Sequence, residues 1–283
     1  TRPKYLAAAI KKLTKDMCMT LKKLSLVGSG TTVSATASSD EDQAVSEPTV
    51  SAIDSTPSLS DGAYALISVD VTEKGNVSSY LRDQMKIYHQ DRFMFAFYND
   101  LTDKVDAGAG YTQWVDGVLV ETPIASQDGP LEDLSFDITI VPTEAGYSQS
   151  LKGMMYGERS VNMVEQWKTL STETTVFDGL WKLDSRSSEA DQWEDFVEMK
   201  LIGGGHFIFF QSMVVDDEPV KHFGFGSFRV DEADHVVETG ITSSFEGPGG
   251  EEFKLNMQLI DDNHMSQSFE LNGATVTQTY MRI

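Results

Sequence analysis

From residue 62 onward, apolar and polar residues alternate in short runs that are separated by turn residues. Clear examples are Arg92–Phe97, Phe136–Ile140 and Phe253–Met257. Alternation with a period of two predicts strands that bury one face. Gly, Asp, Asn or Pro recurs about every 8–14 residues, which is typical of an antiparallel meander. No helix is predicted after residue 60.

The strand region contains an internal duplication. The matched segments are Asp61–Tyr64 with Asp178–Trp181, Met85–Ile87 with Met199–Leu201, Arg92–Phe95 with His206–Phe209, Gly108–Gly110 with Gly224–Gly226, Glu121–Thr122 with Glu238–Thr239, Phe136–Thr139 with Phe253–Asn256, Ser148–Leu151 with Ser266–Phe269, and Glu165–Trp167 with Gln278–Tyr280. Their order is kept and their offsets stay within 113–118 residues. Short antiparallel strands without a covering helix must remove their sheet edges, which closure into a barrel achieves. We therefore predict an all-β protein of two tandem antiparallel barrels, at 60–171 and 174–283.

The first 59 residues differ from the rest. Residues 1–27 carry seven basic residues and one acidic residue, and their apolar residues recur at helical spacing from Leu6 to Leu24. This pattern predicts a basic amphipathic helix for an anionic surface, a targeting remnant, or a solvated tail. Residues 28–59 lack Lys, Arg and aromatic residues, so we predict a flexible acidic linker.

The second copy resembles the lipocalin-like (calycin) family. It opens with Phe177-Asp178-Gly179-Leu180-Trp181 and ends with Tyr280-Met281-Arg282, and the stretch from Met199 to Phe209 is similar to short secreted bacterial members. The resemblance, over roughly residues 176–283, implies that Trp181 plugs one barrel end and that Arg282 packs over its ring. The first copy departs from this pattern, because Tyr64 and Thr169 stand where Trp181 and Arg282 align.

The resemblance also implies a lumen lined by alternate strand residues. Candidate ligand-binding residues in the second copy are Met199, Phe207, Phe209, Phe225, Met257, Phe269 and Tyr280. Their facing is inferred from alternation, which a slip of one residue would reverse. Barrel core is the simpler interpretation of the same residues.

Charge and composition exclude several function classes. The chain has 283 residues and a formal net charge of −22, which argues against a nucleic-acid partner. One Cys and five His without a ligand-type spacing predict no disulfide, no metal and no cofactor. No apolar run approaches the roughly 20 residues of a membrane-spanning helix.

The leading interpretation is a non-catalytic protein that binds a small hydrophobic molecule in a barrel lumen, with the second barrel as the preferred site. One alternative is an enzyme of the cyclase or hydratase type, because some tandem calycin proteins act on hydrophobic polyenes in or between two barrels. A second is a structural or interaction module with filled barrels. The targeting interpretation of the first residues favours an exported bacterial protein, periplasmic or secreted.

Overall fold

The alternating runs form β-strands in the computed structural model, which describes residues 59–99, 104–156, 159–188, 194–215, 217–231, 235–244, 250–271 and 273–283. Every regular element within these ranges is a strand, and the predicted all-β class with two tandem antiparallel barrels is confirmed. The segment predicted at 1–27, with its targeting interpretation, and all but the last residue of the linker predicted at 28–59 lie outside the described residues.

The first barrel is a meander of eight strands with two short additions. Its elements are β1 (Gly62–Glu73), β2 (Asn76–Tyr80), β3 (Gln84–His89), β4 (Arg92–Asn99), β5 (Lys104–Val115), β6 (Val118–Ser126), β7 (Gly129–Pro130), β8 (Phe136–Pro142), β9 (Gly146–Tyr156) and β10 (Arg159–Ser171). Strand β10 pairs back with β1 and closes the barrel, while β2 pairs with β1 and β7 with β6 as additions to the meander.

The second barrel repeats the meander. Its strands are β11 (Gly179–Ser188), β12 (Glu194–Gly203), β13 (His206–Val215), β14 (Glu218–Val230), β15 (His235–Ser243), β16 (Glu252–Asp261), β17 (His264–Leu271) and β18 (Ala274–Arg282). Each pairs with the next along the chain, and β18 closes on β11. The registers match between copies, since Tyr64 lies opposite Thr169 and Trp181 lies opposite Arg282.

Both barrels carry a bulge at the same place. The β5–β6 register shifts between Ala109 and Gly110, and the β14–β15 register shifts between Phe225 and Gly226. A Cβ at Gly110 or Gly226 would collide with a carbonyl of the neighbouring strand. The bulge therefore requires glycine, which accounts for a Gly-x-Gly motif in each copy.

An apolar cluster to which both barrels contribute lies between them, within the compact unit formed by residues 55–283. Its buried members are Ala63, Met85, Ile87, Met94, Ala96, Ala107 and Ala109 from the first barrel and Leu180, Met199, Leu201, Ile208, Phe210, Phe223 and Phe225 from the second. Across this contact, the Nε atom of Arg92 also donates to the backbone oxygen of Ile283 at 2.7 Å. The strands that meet here consequently bury both faces.

Candidate functional site

The interior of the second barrel holds its own apolar cluster. The buried members are Phe177, Trp181, Ile202, Phe207, Phe228, Val236, Leu255, Met257, Met265 and Tyr280, and the half-buried members are Leu183, Phe209, Val230, Leu259 and Phe269. An inward-facing side chain that keeps accessible surface borders the lumen or its mouth. The half-buried set therefore marks where a bound molecule would find apolar surface.

Trp181 and Arg282 cover one end of this barrel. The Trp181 ring is fully buried, and its Nε1 donates to the backbone oxygen of Phe177 at 2.8 Å. The Arg282 guanidinium carbon lies 4.1 Å from the centroid of that ring. Arg282 also donates to the backbone oxygens of Asp178 at 2.5 Å and Asp262 at 2.9 Å. These bonds hold the cation against the indole face, where it is attracted by the ring quadrupole.

The glycine of the Gly-x-Trp motif has a steric role in this cap. Gly179 has a φ of 149°, which L side chains rarely adopt. A Cβ at this position would collide with the Nη1 atom of Arg282. Gly179 therefore leaves the space that the guanidinium occupies above Trp181.

The first barrel keeps part of the arrangement. The hydroxyl of Tyr64 donates to the backbone oxygen of Ser60 at 2.7 Å, four residues earlier, as Trp181 does to Phe177. Thr169 stands opposite Tyr64, so no cation covers the ring from that position. The first strand of each barrel therefore begins with the same type of hydrogen bond, and the second barrel alone adds Arg282 over the aromatic ring.

The predicted ligand-binding residues fall into two groups. Phe207, Phe209, Met257, Phe269 and Tyr280 belong to the interior cluster of the second barrel. Met199 and Phe225 belong to the cluster between the barrels. Alternation cannot tell which face is the lumen when both faces are buried, and it misplaced these two.

The five interior residues differ in their exposed fraction and in their position along the strands. Phe207, Met257 and Tyr280 are at most 4% exposed and lie toward the Trp181 end. Phe209 and Phe269 are half-buried and lie farther along their strands. The Phe207 and Phe209 rings stack with centroids 6.3 Å apart. The end of the barrel opposite Trp181 is here called the far end.

A buried polar network, to which Tyr280 is the one candidate residue that contributes, crosses the middle of this lumen. The Nζ of Lys200 lies 2.5 Å from Oε1 of Glu238 and donates to Gln267 at 3.3 Å. The amide of Gln267 donates to Gln278 at 2.6 Å and to the Tyr280 hydroxyl at 3.0 Å. Buried polar groups of this kind are tolerated because they satisfy one another.

Glu198 completes the network from the strand that carries Lys200. Its carboxylate accepts hydrogen bonds from the Tyr280 hydroxyl at 2.6 Å and from the Gln278 amide at 3.5 Å. Burial raises the pKa of Glu198 above its ordinary value, although nearby Lys200 and the two hydrogen bonds act in the opposite direction. Burial also raises the pKa of Tyr280 well above its ordinary value, and the Glu198 charge adds to that effect.

The first barrel contains the corresponding network. Lys86 lies 2.5 Å from Glu121, the Gln149 amide donates to Glu165 at 2.5 Å, and the indole of Trp167 donates to Glu165 at 3.1 Å. The matched positions are Gln84 with Glu198, Lys86 with Lys200, Glu121 with Glu238, Gln149 with Gln267, Glu165 with Gln278 and Trp167 with Tyr280. One carboxylate and one amide have exchanged strands between the copies.

The signal for this network was present in the repeat. Three of the matched segments contain the same Lys, Glu or Gln at the same place in both copies, and a fourth matches Glu165 with Gln278. Polar identity at an inward strand position of both copies is unexpected for a surface and indicates a buried network. Alternation of apolar and polar residues alone does not predict this burial.

The comparisons with known proteins give little further direction. No family model matches the chain, and no curated protein matches it. Among solved structures, a DUF3598-family protein of unknown function from Nostoc punctiforme PCC 73102 matches over 78% of this chain and 96% of its own, at 10% identity and a TM-score of 0.24. A likeness at this level identifies no function.

In the part of the chain that the structure describes, no helix is long and apolar enough to cross a membrane. Over the same residues, no group of three or more His, Cys, Asp or Glu side chains is placed to hold a metal ion.

Proposed function

We propose that the second barrel binds a small, mainly apolar molecule in its lumen, without converting it. The observation that carries this proposal is the half-buried, inward-facing pair Phe209 and Phe269. Phe209 lies opposite Lys200 of the polar network, and Phe269 lies one inward position beyond Gln267 on β17. Ligand sites are mostly apolar, with a few polar groups that fix orientation. The network of Glu198, Gln278 and Tyr280 supplies such groups inside the lumen.

The second barrel is preferred because one stacked aromatic ring of the first interior is replaced by a methionine in the second. In the first barrel, Tyr147 lies 4.9 Å from Tyr64 and stacks on Trp167 at 6.0 Å between centroids. Met265 stands at the position of Tyr147 in the second copy. Methionine is flexible and adapts to ligands of irregular shape. The interior of the second barrel can therefore rearrange around a bound molecule at a lower free-energy cost.

An enzyme of the cyclase or hydratase type is the second candidate. It is favoured by one observation, the contact of Glu198 and Tyr280, which places two titratable groups in the lumen. Their hydrogen bond at 2.6 Å engages each group with the other. Because a catalytic acid must be free to reach the substrate, this arrangement favours binding over catalysis.

The test uses the full chain and the neutral fluorescent probe N-phenyl-1-naphthylamine. We expect saturable fluorescence enhancement with the unchanged protein. Phe209→Glu should weaken binding at least about tenfold, because an unpaired carboxylate on an apolar wall is strongly disfavoured. Phe95→Glu changes the matching residue of the first barrel and should leave the affinity within about twofold.

Phe253→Glu serves as a surface control, since Phe253 is 57% exposed on the outside. Thermal melts establish that each variant is folded. Loss of binding in Phe95→Glu alone would place the site in the first barrel and overturn the proposal. No enhancement with the unchanged protein would favour filled barrels.

A further inference from the structure

We propose that the first barrel carries a second binding site, which takes a small uncharged ring with neighbouring hydroxyl groups, as in a pyranose sugar. The site is a cavity of about 160 Å³ that is lined by residues of β1, β2 and β10 and by the turn residue Lys74. It lies outside the lumen of the second barrel. The proposal is therefore independent of the function proposed above.

The strand register places this cavity at the end of the first barrel that corresponds to the far end of the second. Val69 lies opposite Tyr80 on β2 and opposite Glu165 of the polar network on β10. Because cross-strand partners point to the same face of a sheet, Tyr80 faces inward at the depth of Glu165. Two residues farther along β1, Val71 lies opposite Ser78 and continues the same face. The cavity consequently lies just outside the buried network, toward the mouth.

Strand β2 leaves its inner side chains uncovered. All five of its residues are exposed, including the inward-facing Ser78 and Tyr80, and Tyr80 is 42% exposed. A concave face that the barrel does not fill offers a place for a bound molecule. The volume suits a single six-membered ring, since a protein cavity of about 150 Å³ holds benzene.

A bidentate ion pair forms the polar side of the cavity. The Nε and Nη2 atoms of Arg159 donate to the two carboxylate oxygens of Glu73 at 3.1 Å and 2.7 Å. These bonds use only part of the hydrogen-bonding capacity of each group, so donors and acceptors remain side by side. Two neighbouring hydroxyl groups match this array, because one accepts from the guanidinium while the other donates to the carboxylate.

The rest of the lining favours a ring that is polar at its edge and apolar on its face. Tyr80 and Val71 offer an aromatic and an aliphatic surface, against which the C–H groups of a ring can pack. Asn76 and Ser78 add side-chain donors and acceptors on the same strand. A purely apolar molecule would cover these polar groups without bonding to them, which is unfavourable.

The charges of the cavity disfavour an ionic ligand. Glu73 and Arg159 neutralise each other, and Lys74 belongs to an exposed turn, where solvent and salt screen its ammonium. An anion would be repelled by the Glu73 carboxylate, and a cation would be repelled by Arg159 and Lys74. An uncharged polyol forms hydrogen bonds with both members of the ion pair.

The test uses the full chain and saturation-transfer NMR. The probes are the methyl α-pyranosides of glucose, galactose and mannose, with cyclohexanol and benzoate for comparison. At least one pyranoside should bind saturably, with a Kd of about 1–10 mM for so small a ligand in an open site. Cyclohexanol, which has one hydroxyl group, and benzoate, which is an anion, should both bind at least about tenfold more weakly.

Two adjacent serines on β2 provide a matched pair of variants. Ser78 lines the cavity, whereas Ser79 lies opposite Asp70 on the outer face and donates to its carboxylate at 2.5 Å. Ser78→Leu should fill the cavity and weaken pyranoside binding at least about tenfold. Ser79→Leu should leave the affinity within about twofold. Thermal melts establish that each variant is folded.

A second pair of variants tests the ion pair. Arg159→Met removes the guanidinium but keeps an unbranched side chain, and should weaken pyranoside binding at least about fivefold, because hydrogen bonds to charged groups are the stronger ones. Arg229→Met removes the basic member of an exposed ion pair with Asp231 in the second barrel. It should leave the affinity within about twofold.

The outcomes decide the proposal in three ways. Absence of saturable binding by all three pyranosides overturns it. Benzoate or cyclohexanol that binds as tightly as the best pyranoside also overturns it, since neither offers neighbouring hydroxyl groups. Pyranoside binding that survives Ser78→Leu or Arg159→Met places the sugar elsewhere on the chain and overturns the assignment to this cavity.

Discussion

Glu165 and Gln278 occupy the same inward position in the two barrels, one as a carboxylate and the other as an amide. The reverse exchange occurs at Gln84 and Glu198. The Gln278 amide lies 3.5 Å from Glu198, so a carboxylate at position 278 would face another. We therefore predict that Gln278→Glu destabilises the chain and that adding Glu198→Gln relieves most of the loss.

A double-mutant cycle measures this relationship. The coupling between the two changes should be at least about 1 kcal/mol, because contacting residues in one buried network are coupled by about 0.5–3 kcal/mol. Chemical denaturation of the two single variants, the double variant and the unchanged chain provides the four free energies. Additive effects would mean that the exchange between copies is not compensatory.

The cap at the Trp181 end leads to a second prediction. Truncating a large buried aromatic residue to Ala costs about 3–5 kcal/mol, and Trp181→Ala also removes the cation–π contact with Arg282, worth about 0.5–2 kcal/mol. Tyr64→Ala removes a buried ring with Thr169 opposite it. We expect the larger loss of unfolding free energy for Trp181→Ala in denaturation of the full chain. Equal losses, or less than about 1 kcal/mol at Trp181, would contradict the role of the cap.

The repeat and the alternation were enough to predict the class and the two barrels, because strand periodicity and turn spacing are local properties. The lumen face was harder to predict. On β12 and β14 both faces are buried, one by the lumen and one by the neighbouring barrel, so Met199 and Phe225 carried the same apolar signal as Phe207. The contact between barrels depends on tertiary structure that no single strand encodes.

The polar network was missed for a related reason. Charged residues such as Lys200 and Glu238 are rarely buried, so their presence on a strand gives no reason to expect them inside a barrel. Their burial becomes understandable only when strands distant in the chain bring an ammonium and a carboxylate to 2.5 Å. Identity at matched positions of the repeat was the available clue.

The placement of Met199 in the contact between barrels supplies a third prediction. Met199→Ala should lower the unfolding free energy by about 2–5 kcal/mol, the usual cost of truncating a buried Met. It should leave probe affinity within about twofold, because the side chain faces away from the lumen. Denaturation and a probe titration measure the two effects separately. A selective loss of probe binding would return Met199 to the ligand site.

Glu198 gives the chain a pH dependence with a defined sign. Burial raises its folded-state pKa above the unfolded value, so ionised Glu198 destabilises the fold at high pH. As the pH falls through the raised pKa toward the unfolded value of about 4.3, the folded state binds the proton first and the destabilisation disappears. Within the described residues, the ionisable groups that act on Glu198 are Lys200 on the same strand, Tyr280 on β18 and Glu238 on β15.

The variant Glu198→Gln isolates this contribution. At pH 8 it should be more stable than the unchanged chain, by about 1.4 kcal/mol for each pKa unit that separates the folded and unfolded states. The difference should shrink as the pH falls and vanish near pH 4. Denaturation at several pH values provides the comparison. A difference that stays constant with pH would show that Glu198 does not titrate as described.

The Phe209 ring supplies the last prediction, because a glycine leaves the space that it occupies. A Cβ at Gly224 would lie 2.7 Å and 2.9 Å from the Cε1 and Cζ atoms of Phe209, whereas a Cβ at Gly240 would meet nothing within 4 Å. Gly224→Ala therefore forces the ring to move and should cost about 1–3 kcal/mol, as overpacking usually does. Since Phe209 borders the lumen, probe affinity should change with it, by at least about threefold. Gly240→Ala lies on the neighbouring strand and should leave both quantities nearly unchanged. Equal behaviour of the two variants would mean that the ring adapts freely and that its position does not shape the site.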